Sequence, residues 1–302
     1  MTAVAIFTDD PGWHGAHLRA AFAGHGCESR FVTLNDCSIV LRTGMPEVRI
    51  PGFRGAPAAA FVRGVAGGTL EEVVFRLNVL HALKAAGTRV YNDGRAIERS
   101  VDKGLTSFLL AGAGIPTPHT RVTADPATAT AFVEDELRAG HTVVSKPLFG
   151  SQGKGVVRIG RVADLPDAEA ANGVWYLQRF VASAGPEPED WRLFIIGGRT
   201  VAAMRRSSGS WPTNVACGAQ CHAAVPAVEA AELAERATRV LDMDYAGVDL
   251  LRDRRGAWWL IEVNSIPAWR GLEEATGIDV AGLLAADLLD RIRQQQRPLE
   301  VV

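Results

Sequence analysis

The sequence predicts an α/β protein: a parallel sheet with covering helices in its first third, then short helices and strand hairpins. Three observations carry this expectation. A strand, helix, strand rhythm ends near residue 98, a glycine-rich loop joins two apolar strands within residues 143–157, and residues 246–269 form a carboxylate-bearing strand pair.

The length of 302 residues suits two or three packed units, and 47% hydrophobic content is ordinary for a globular chain. Lys and Arg number 32 against 34 Asp and Glu, so neither a basic field for nucleic acid nor an acidic excess is present. No apolar run reaches the roughly 18 residues a bilayer requires, and acidic Asp9 and Asp10 do not fit a signal peptide. The expected setting is the cytoplasm, with small-molecule partners, no nucleic acid and no membrane. Four scattered cysteines, Cys27, Cys37, Cys217 and Cys221, are too few for a disulfide scaffold. Cys217, Cys221 and His222 match structural zinc spacing poorly.

The elements follow in order. Residues 4–7, VAIF, read as a strand, and His17 to Phe22 as helix-like. Leu70 to Leu83 places apolar side chains at Val73, Val74, Leu77, Leu80 and Leu83, with Gly87 as a stop before the strand Val90-Tyr91. A helix from Ser100 carries Asp102 and Lys103 in its first turn and Leu105, Phe108 and Leu109 as an expected buried stripe, broken by Gly112 and Gly114. Ile115-Pro116-Thr117-Pro118 cannot be helical. Residues 125–139 read as a helix capped by Asp125 with Pro126 at its first position.

Next comes VVSKPLFGSQGKGVV, strand, loop, strand. Gly150, Gly153 and Gly155 let backbone N–H groups approach phosphate oxygens, and Lys146 ends the preceding strand. This is not a Walker loop, because Gly153-Lys154-Gly155 enters a strand rather than a helix. The plain alternative is a flexible hairpin. Asp190-Trp191-Arg192 leads into a strand pair over 193–206 that turns at Gly197-Gly198, with Arg192 and Arg206 near opposite ends. Arginine forks suit the oxyanions of a transferring phosphoryl group. Asn214 sits in a polar loop, as a turn residue or a triphosphate and metal contact.

In AGVDLLRDRRGAWWLIEVNSIPAW, residues 253–256 read as the turn. With an even-length loop Asp249 faces Leu260, and alternation puts Glu262 and Asn264 on the face of Asp249. Three oxygen donors there suit Mg²⁺ carrying a nucleotide triphosphate; a solvated hairpin face with scattered acids is the alternative.

Taken in order from Ser100 to Leu284, these motifs resemble the ATP-grasp superfamily, specifically the RimK-like alpha-L-glutamate ligases. The matching pieces are Asp102-Lys103, Lys146 with GSQGKGVV, Asp190, Arg192, Arg206, Asn214, AGVDLL, IEVNSIP and TGIDVAGLL; Arg63-Gly64 and Val90-Tyr91-Asn92 look like that family's preceding domain. The resemblance implies a Rossmann-like pre-ATP-grasp domain over 1–98, an ATP-grasp small lobe over 99–178 and a C-terminal lobe over 179–302.

It further implies ATP and two Mg²⁺ or Mn²⁺ ions. Lys103 and Lys146 would meet phosphates, with Gly150, Ser151, Gln152, Gly153 and Gly155 closing over them. Gln178, Arg179, Phe180 and Val181 would hold adenine, Asp190 the ribose, and Thr213 would adjoin the nucleotide. Asp249, Glu262 and Asn264 would take the metal, and Arg206, Asn214 and Arg192 would face the reacting phosphate. Arg179 stands where the family often has an acid, and Pro212 where it often has a basic residue.

The implied reaction joins an amino acid, L-glutamate first among candidates, to an acceptor carboxylate through an acyl phosphate. Trp175, Trp191, Trp211 and Trp269 near the site segments favour a small coenzyme-like acceptor such as a pterin or furan C1 carrier. A protein C-terminal tail is the enzymatic alternative, and a silent ATP-binding module the non-enzymatic one. The sequence leaves homo-oligomerisation open.

Overall fold

The computed structural model describes residues 3–150, 153–209, 211, 213 and 218–296. Ser151, Gln152, Pro212, Asn214 and Cys217, all singled out in the sequence, lie outside the described residues. The chain forms two compact units, one of Met1–Ile97, Met243–Tyr245 and Ser265–Val302, the other of Glu98–Asp242 and Ala246–Asn264.

In the first unit β1 (Ala3–Phe7), β2 (Glu28–Val32), β5 (Ala59–Val62) and β6 (Arg89–Tyr91) form a sheet in the order β2-β1-β5-β6, while β3 (Ser38–Val40) pairs with β4 (Glu47–Arg49). All three pairings of the larger sheet are parallel. Its central strands are shielded on both faces, which is why VAIF and AAFV are uninterrupted apolar runs. Helix α1 (Gly12–Gly24) follows β1. Helix α2 (Leu70–Ala85) begins with a capping box in which Thr69 and Glu72 each accept the other's backbone N–H. Leu80 and Leu83 bury as the periodicity predicts, whereas Val74 faces solvent.

The sequence places residues 265–302 with the last lobe, but their contacts group them with this first unit. Fully buried Asn92 is one reason. Its Oδ1 accepts from Asp244 N–H at 2.6 Å and Tyr245 N–H at 3.2 Å, and its Nδ2 donates to the carbonyls of Tyr245 at 2.7 Å and Ser265 at 2.8 Å. Both donors and both acceptor positions of the amide are used, so one residue ties segments some 150 positions away onto β6.

After α3 (Gly94–Val101), the second unit begins with α4 (Lys103–Gly112), capped by Asp102, whose carboxylate accepts Leu105 N–H at 3.0 Å. The expected stripe of Leu105, Phe108 and Leu109 is not the buried one: Thr106 and Leu110 are, and Phe108 is 75% exposed. Thr106 Oγ1 donates to the Arg99 carbonyl at 2.5 Å, which turns that face inward. Helix α5 (Pro126–Arg138) starts where Asp125 and Pro126 predict, with Asp125 accepting Thr128 N–H at 2.9 Å.

Helix α5 packs on an antiparallel sheet of β7 (Thr120–Thr123), β8 (Val143–Lys146), β9 (Val157–Ile159) and β10 (Trp175–Arg179), in the order β7-β10-β8-β9. Phe132, Val133, Val143, Trp175 and Leu177 fill the space between them. A second sheet has the order β13-β12-β11-β14-β15, from β11 (Glu189–Ile196), β12 (Arg199–Ser207), β13 (Gln220–Ala223), β14 (Tyr245–Arg252) and β15 (Trp258–Asn264), with α6 (Val228–Val240) packed on it. Gly197 and Gly198, at φ 59° and 75°, close the β11–β12 hairpin as a two-residue turn that side chains would strain. The chain then makes α7 (Arg270–Thr276) and α8 (Val280–Gln296) in the first unit. Among the described residues no helix is long and apolar enough to cross a membrane.

Candidate functional site

A row of charge crosses one face of the five-stranded sheet in the second unit. Arg206 pairs in register with Asp190 and Asp249 with Glu262, so each pair shares a face, and alternation adds Arg192 and Asn264. The register differs from the sequence expectation, in which Asp249 faces Leu260. The β14–β15 loop spans five residues rather than four, since Arg252 pairs with Trp258, and a bulge between Asp249 and Leu250 slips the strands once more. Two single-residue slips preserve parity, so Glu262 keeps its face. The bulge also turns Ile261 into the cavity beside Glu262, which strict alternation forbids.

Ion pairs bind the row together. Arg206 donates to both oxygens of Asp190 at 2.7 Å each and reaches Asp249 Oδ2 at 3.0 Å. Arg192 grips Asp249 through Nε to Oδ1 and through Nη2 to Oδ2, the latter at 2.7 Å. Thr213 Oγ1 adds a hydrogen bond to Asp190 at 2.8 Å. Two buried aspartates are thus matched by two arginines, which balances charges whose isolated burial would be very costly. Burial disfavours ionised Asp249, yet Arg192 and Arg206 hold its carboxyl below the ordinary range.

The cavity over this row has a volume of about 330 Å³. Asp190, Arg206, Thr213, Asp249 and Glu262 reach its wall; Arg192 and Asn264 do not, and Arg192 acts on it only through Asp249. The facing wall comes from the smaller sheet. Lys146, at the end of β8, donates to Gln178 Oε1 at 2.8 Å, and Gln178 Nε2 in turn donates to Tyr176 Oη at 2.9 Å and Thr120 Oγ1 at 3.1 Å. Burial pushes the Lys146 ammonium down to about 8, despite attraction from Glu262. Lys103 donates to the Gly150 carbonyl at 2.8 Å and stands 3.9 Å from Glu262; burial lowers it too.

Gly150, Gly153 and Gly155 have φ of 144°, 72° and 71°, and a Cβ on Gly155 would fall 2.8 Å from Pro147 Cγ. Side chains at these positions would be strained, so the loop approaches the cavity with bare backbone. The chain after β10 completes the wall with Arg179, Phe180 and Val181. Arg179 is held by Glu136, which accepts its Nε at 2.6 Å and Nη2 at 2.9 Å, and also meets His119 Nδ1 at 2.7 Å. Those hydrogen bonds from Arg179 hold Glu136 down to about 2 despite burial. The Arg158 guanidinium lies 4.0 Å above the Phe180 ring.

Sequence reasoning missed the apolar wall of Val144, Leu251 and Ile261, together with the Glu136 clamp. Leu251 was readable, two residues beyond Asp249 on the same face. Ile261 needed the bulge, and Glu136 lies 43 positions from its partner with no spacing signal. Of the four tryptophans noted, Trp211 lines the cavity, Trp175 is core of the smaller sheet, Trp191 packs edge-on to Trp258 and Trp269 is buried in the first unit.

The donor set fits a hard divalent cation. Three guanidinium hydrogen bonds use three of the four lone pairs on Asp249 and leave one on Oδ1; among the described residues the ion pair to the Glu262 carboxylate is with Lys103, 3.9 Å away. Among the described residues no cluster of three or more His, Cys, Asp and Glu is gathered for a metal. The two carboxylates, with Asn264 on the same strand face outside the cavity lining, form a sparse set, the kind that Mg²⁺ accepts when water and phosphates complete its shell.

The family model for the RimK-like ATP-grasp domain matches residues 100–288. A tetrahydromethanopterin:alpha-L-glutamate ligase of Methanosarcina acetivorans is 31% identical over 259 residues, covering 74% of this chain and 77% of that protein. A probable alpha-L-glutamate ligase of Alkalilimnicola ehrlichii is 37% identical over 222 residues, 72% of each chain. Among solved structures, the ATP-grasp ligase PsnB, complexed with minimal precursor, Mg and ADP, superposes with a TM-score of 0.73 over 97% of this chain and 98% of its own at 20% identity, a likeness of fold. The match over most of the chain makes this protein a member of the RimK-like ATP-grasp family, an ATP-grasp carboxylate-amine ligase.

Proposed function

We propose that the protein uses Mg-ATP to join L-glutamate to the carboxylate of a small coenzyme-like acceptor, of the pterin class named for its methanogen relative. The observation that carries the reading is the convergence on one cavity of two lysines, a glycine loop with bare backbone, an arginine and an Asp–Glu pair. A nucleotide triphosphate needs those groups: cations for phosphate oxygens, N–H groups for close approach, and hard oxygen donors for the metal.

In this reading Lys103 and Lys146 hold phosphates and the loop from Gly150 to Gly155 covers them. Val144, Leu251 and Ile261 pack the base against the link from Gln178 to Val181, and Asp190 meets the ribose. Mg²⁺ is held by Asp249, Glu262 and Asn264, and when bound it neutralises charge building on the phosphate oxygens. Arg206, whose Nε and Nη2 are held by Asp190 and Asp249, offers its charge and its Nη1 to the transferring group, and Arg192 keeps Asp249 ionised and oriented. The acceptor carboxylate attacks the γ-phosphorus, ADP leaves, and the amine of glutamate displaces phosphate from the acyl phosphate. No protein nucleophile takes part, so catalysis comes from positioning and electrostatics. The reading leaves Mn²⁺ as a substitute metal and two ions as the expected number.

The deciding experiment incubates the protein with Mg-ATP and L-glutamate against small coenzyme carboxylates and acidic peptide tails. Phosphate release and the mass of each acceptor are followed. A gain of glutamyl mass on a small acceptor supports the reading. Gain on a peptide tail alone, or none on any acceptor, overturns it.

A further inference from the structure

The first unit holds a charged residue that the ligation chemistry above does not use. Arg63 follows β5 at the carboxyl end of the parallel sheet, where open α/β sheets take ligands. Its Nε is buried, and no acceptor among the described residues reaches it. Burial lowers its pKa, opposed by attraction from Tyr245 and Asp10. No carboxylate among the described residues comes within ion-pair distance. The guanidinium lies over an aromatic face, Trp269, whose ring centroid is 5.1 Å from its carbon. A ring face attracts a cation but cannot accept the in-plane Nε–H.

The surroundings add positive charge. Trp269 N–H donates to His14 Nε2 at 3.2 Å, so that nitrogen is an acceptor and the His14 proton is on Nδ1, a donor with no hydrogen bond to the described residues. Burial, with Arg63, His17 and Arg270 nearby, pushes His14 down to about 4 and keeps it neutral. Its ring meets Trp269 edge-on at 4.6 Å. Trp13 stacks on His17 at 3.8 Å and has the Arg270 guanidinium 5.9 Å from its ring. Two arginines therefore share one neighbourhood with flat faces and an imidazole N–H. Asp10 attracts Arg63 without forming an ion pair with it, and Arg270 pairs with Glu274 at 2.8 Å on the exposed side.

We propose that Arg63, His14 and Arg270 form an oxyanion site that takes a carboxylate of a substrate, with Trp13 and Trp269 flanking the atoms that bear it. The unused Nε–H and His14 Nδ1–H supply directed donors, and the fork of Arg63 suits a carboxylate held by two hydrogen bonds. That the carboxylate belongs to a ligase substrate rests on the proposed function; the site itself does not.

The test is equilibrium titration of the full chain with glutarate, L-glutamate and inorganic phosphate. Wild type is compared with Arg63→Met, Arg63→Lys and Arg270→Ala, alongside Mg-ATP binding and circular dichroism. The expected result is saturable binding of a dicarboxylate that weakens at least tenfold in Arg63→Met, less in Arg63→Lys and in Arg270→Ala, with ATP affinity unchanged. If Arg63→Met does not fold, the lysine variant and the exposed Arg270 variant carry the test. Equal dicarboxylate affinity in every folded variant overturns the site, as does phosphate binding tighter than glutarate or no saturable binding by wild type. Dicarboxylate binding through Arg63 without any ligation keeps the site and sinks the ligase reading. Ligation by every variant together with equal dicarboxylate affinity in all of them sinks the site and keeps the ligase reading.

Discussion

Two charge networks of equal composition, one largely buried and one half-buried, serve different ends in this protein. In the second unit Asp190 and Asp249 are matched by Arg192 and Arg206 at the wall of a cavity. In the first unit Asp244 and Asp287 are matched by Arg89 and Arg291, with Tyr91 Oη donating to Asp287 at 2.7 Å, and none of these lines that cavity. Charge balance alone therefore does not mark a site. The difference lies in where the unmatched groups stand: the second unit has a spare lone pair on Asp249, lightly held Glu262 and the buried ammonium of Lys146 at the cavity, whereas the inner network leaves the buried Nε of Arg89 without a partner among the described residues and away from that cavity.

Glu262 tests this contrast most severely. Glu262→Gln keeps volume and removes metal charge, so ligation should fall at least about a hundredfold while the melting temperature stays close to wild type. A variant with wild-type turnover would show that the open end of the row is not where the metal works. Lys146 comes next. Lys146→Met should weaken Mg-ATP binding by roughly ten- to a hundredfold, the scale of losing a strong charge-assisted contact. Because the free protein's ammonium titrates near 8, wild-type affinity for the triphosphate should drop as pH rises above 8, and the methionine variant should lose that slope. A slope that survives in Lys146→Met assigns the titration to another group.

The sequence made the charge row legible because strand alternation is a local rule: Asp190 with Arg192, and Glu262 with Asn264, announce a shared face at a spacing of two. Parity even protected the Asp249–Glu262 assignment from an error of two residues in register. The C-terminal helices were not legible as part of the first unit, because their grouping rests on the packing of α8 against α1 and on the bonds of Asn92 to residues 244, 245 and 265, tertiary links that no periodicity records. The buried face of α4 was misread for a related reason. Hydropathy selects Phe108, while a threonine hydrogen bond and the neighbouring elements select Thr106 and Leu110.

The Glu136–Arg179 pair is matched in charge like the inner network yet adjoins the cavity through Arg179. Glu136→Gln should leave Arg179 free to swing toward the base pocket and change Mg-ATP affinity by only a few-fold, read by titration. The native pair has a depressed carboxyl, so its stabilisation is complete above the ordinary glutamate value of 4.5 and is lost as pH falls toward about 2. The variant's acid-unfolding midpoint should therefore move to higher pH; an unchanged midpoint would mean that the clamp adds nothing to the fold.

The inner network offers the smallest effect and the clearest sign. Burial lifts Asp244 to about 6 despite Arg89 and Arg291, so ionising it in the folded state is uphill relative to the unfolded chain at 3.8. Between those values the folded protein binds more protons than the unfolded one, and this group's contribution to stability falls as pH rises, then stays level above 6. Asp244→Asn removes that titration. The stability of the variant minus that of wild type should rise from pH 4 to 6 and run flat beyond it, with catalysis untouched at every pH. The same substitution cannot produce this pattern if Asp244 belongs to the working site, because turnover would then fall along with the change in stability. A flat difference in stability across the window would instead show that Arg89 and Arg291 fully offset burial, making the inner network as well matched in energy as it is in charge.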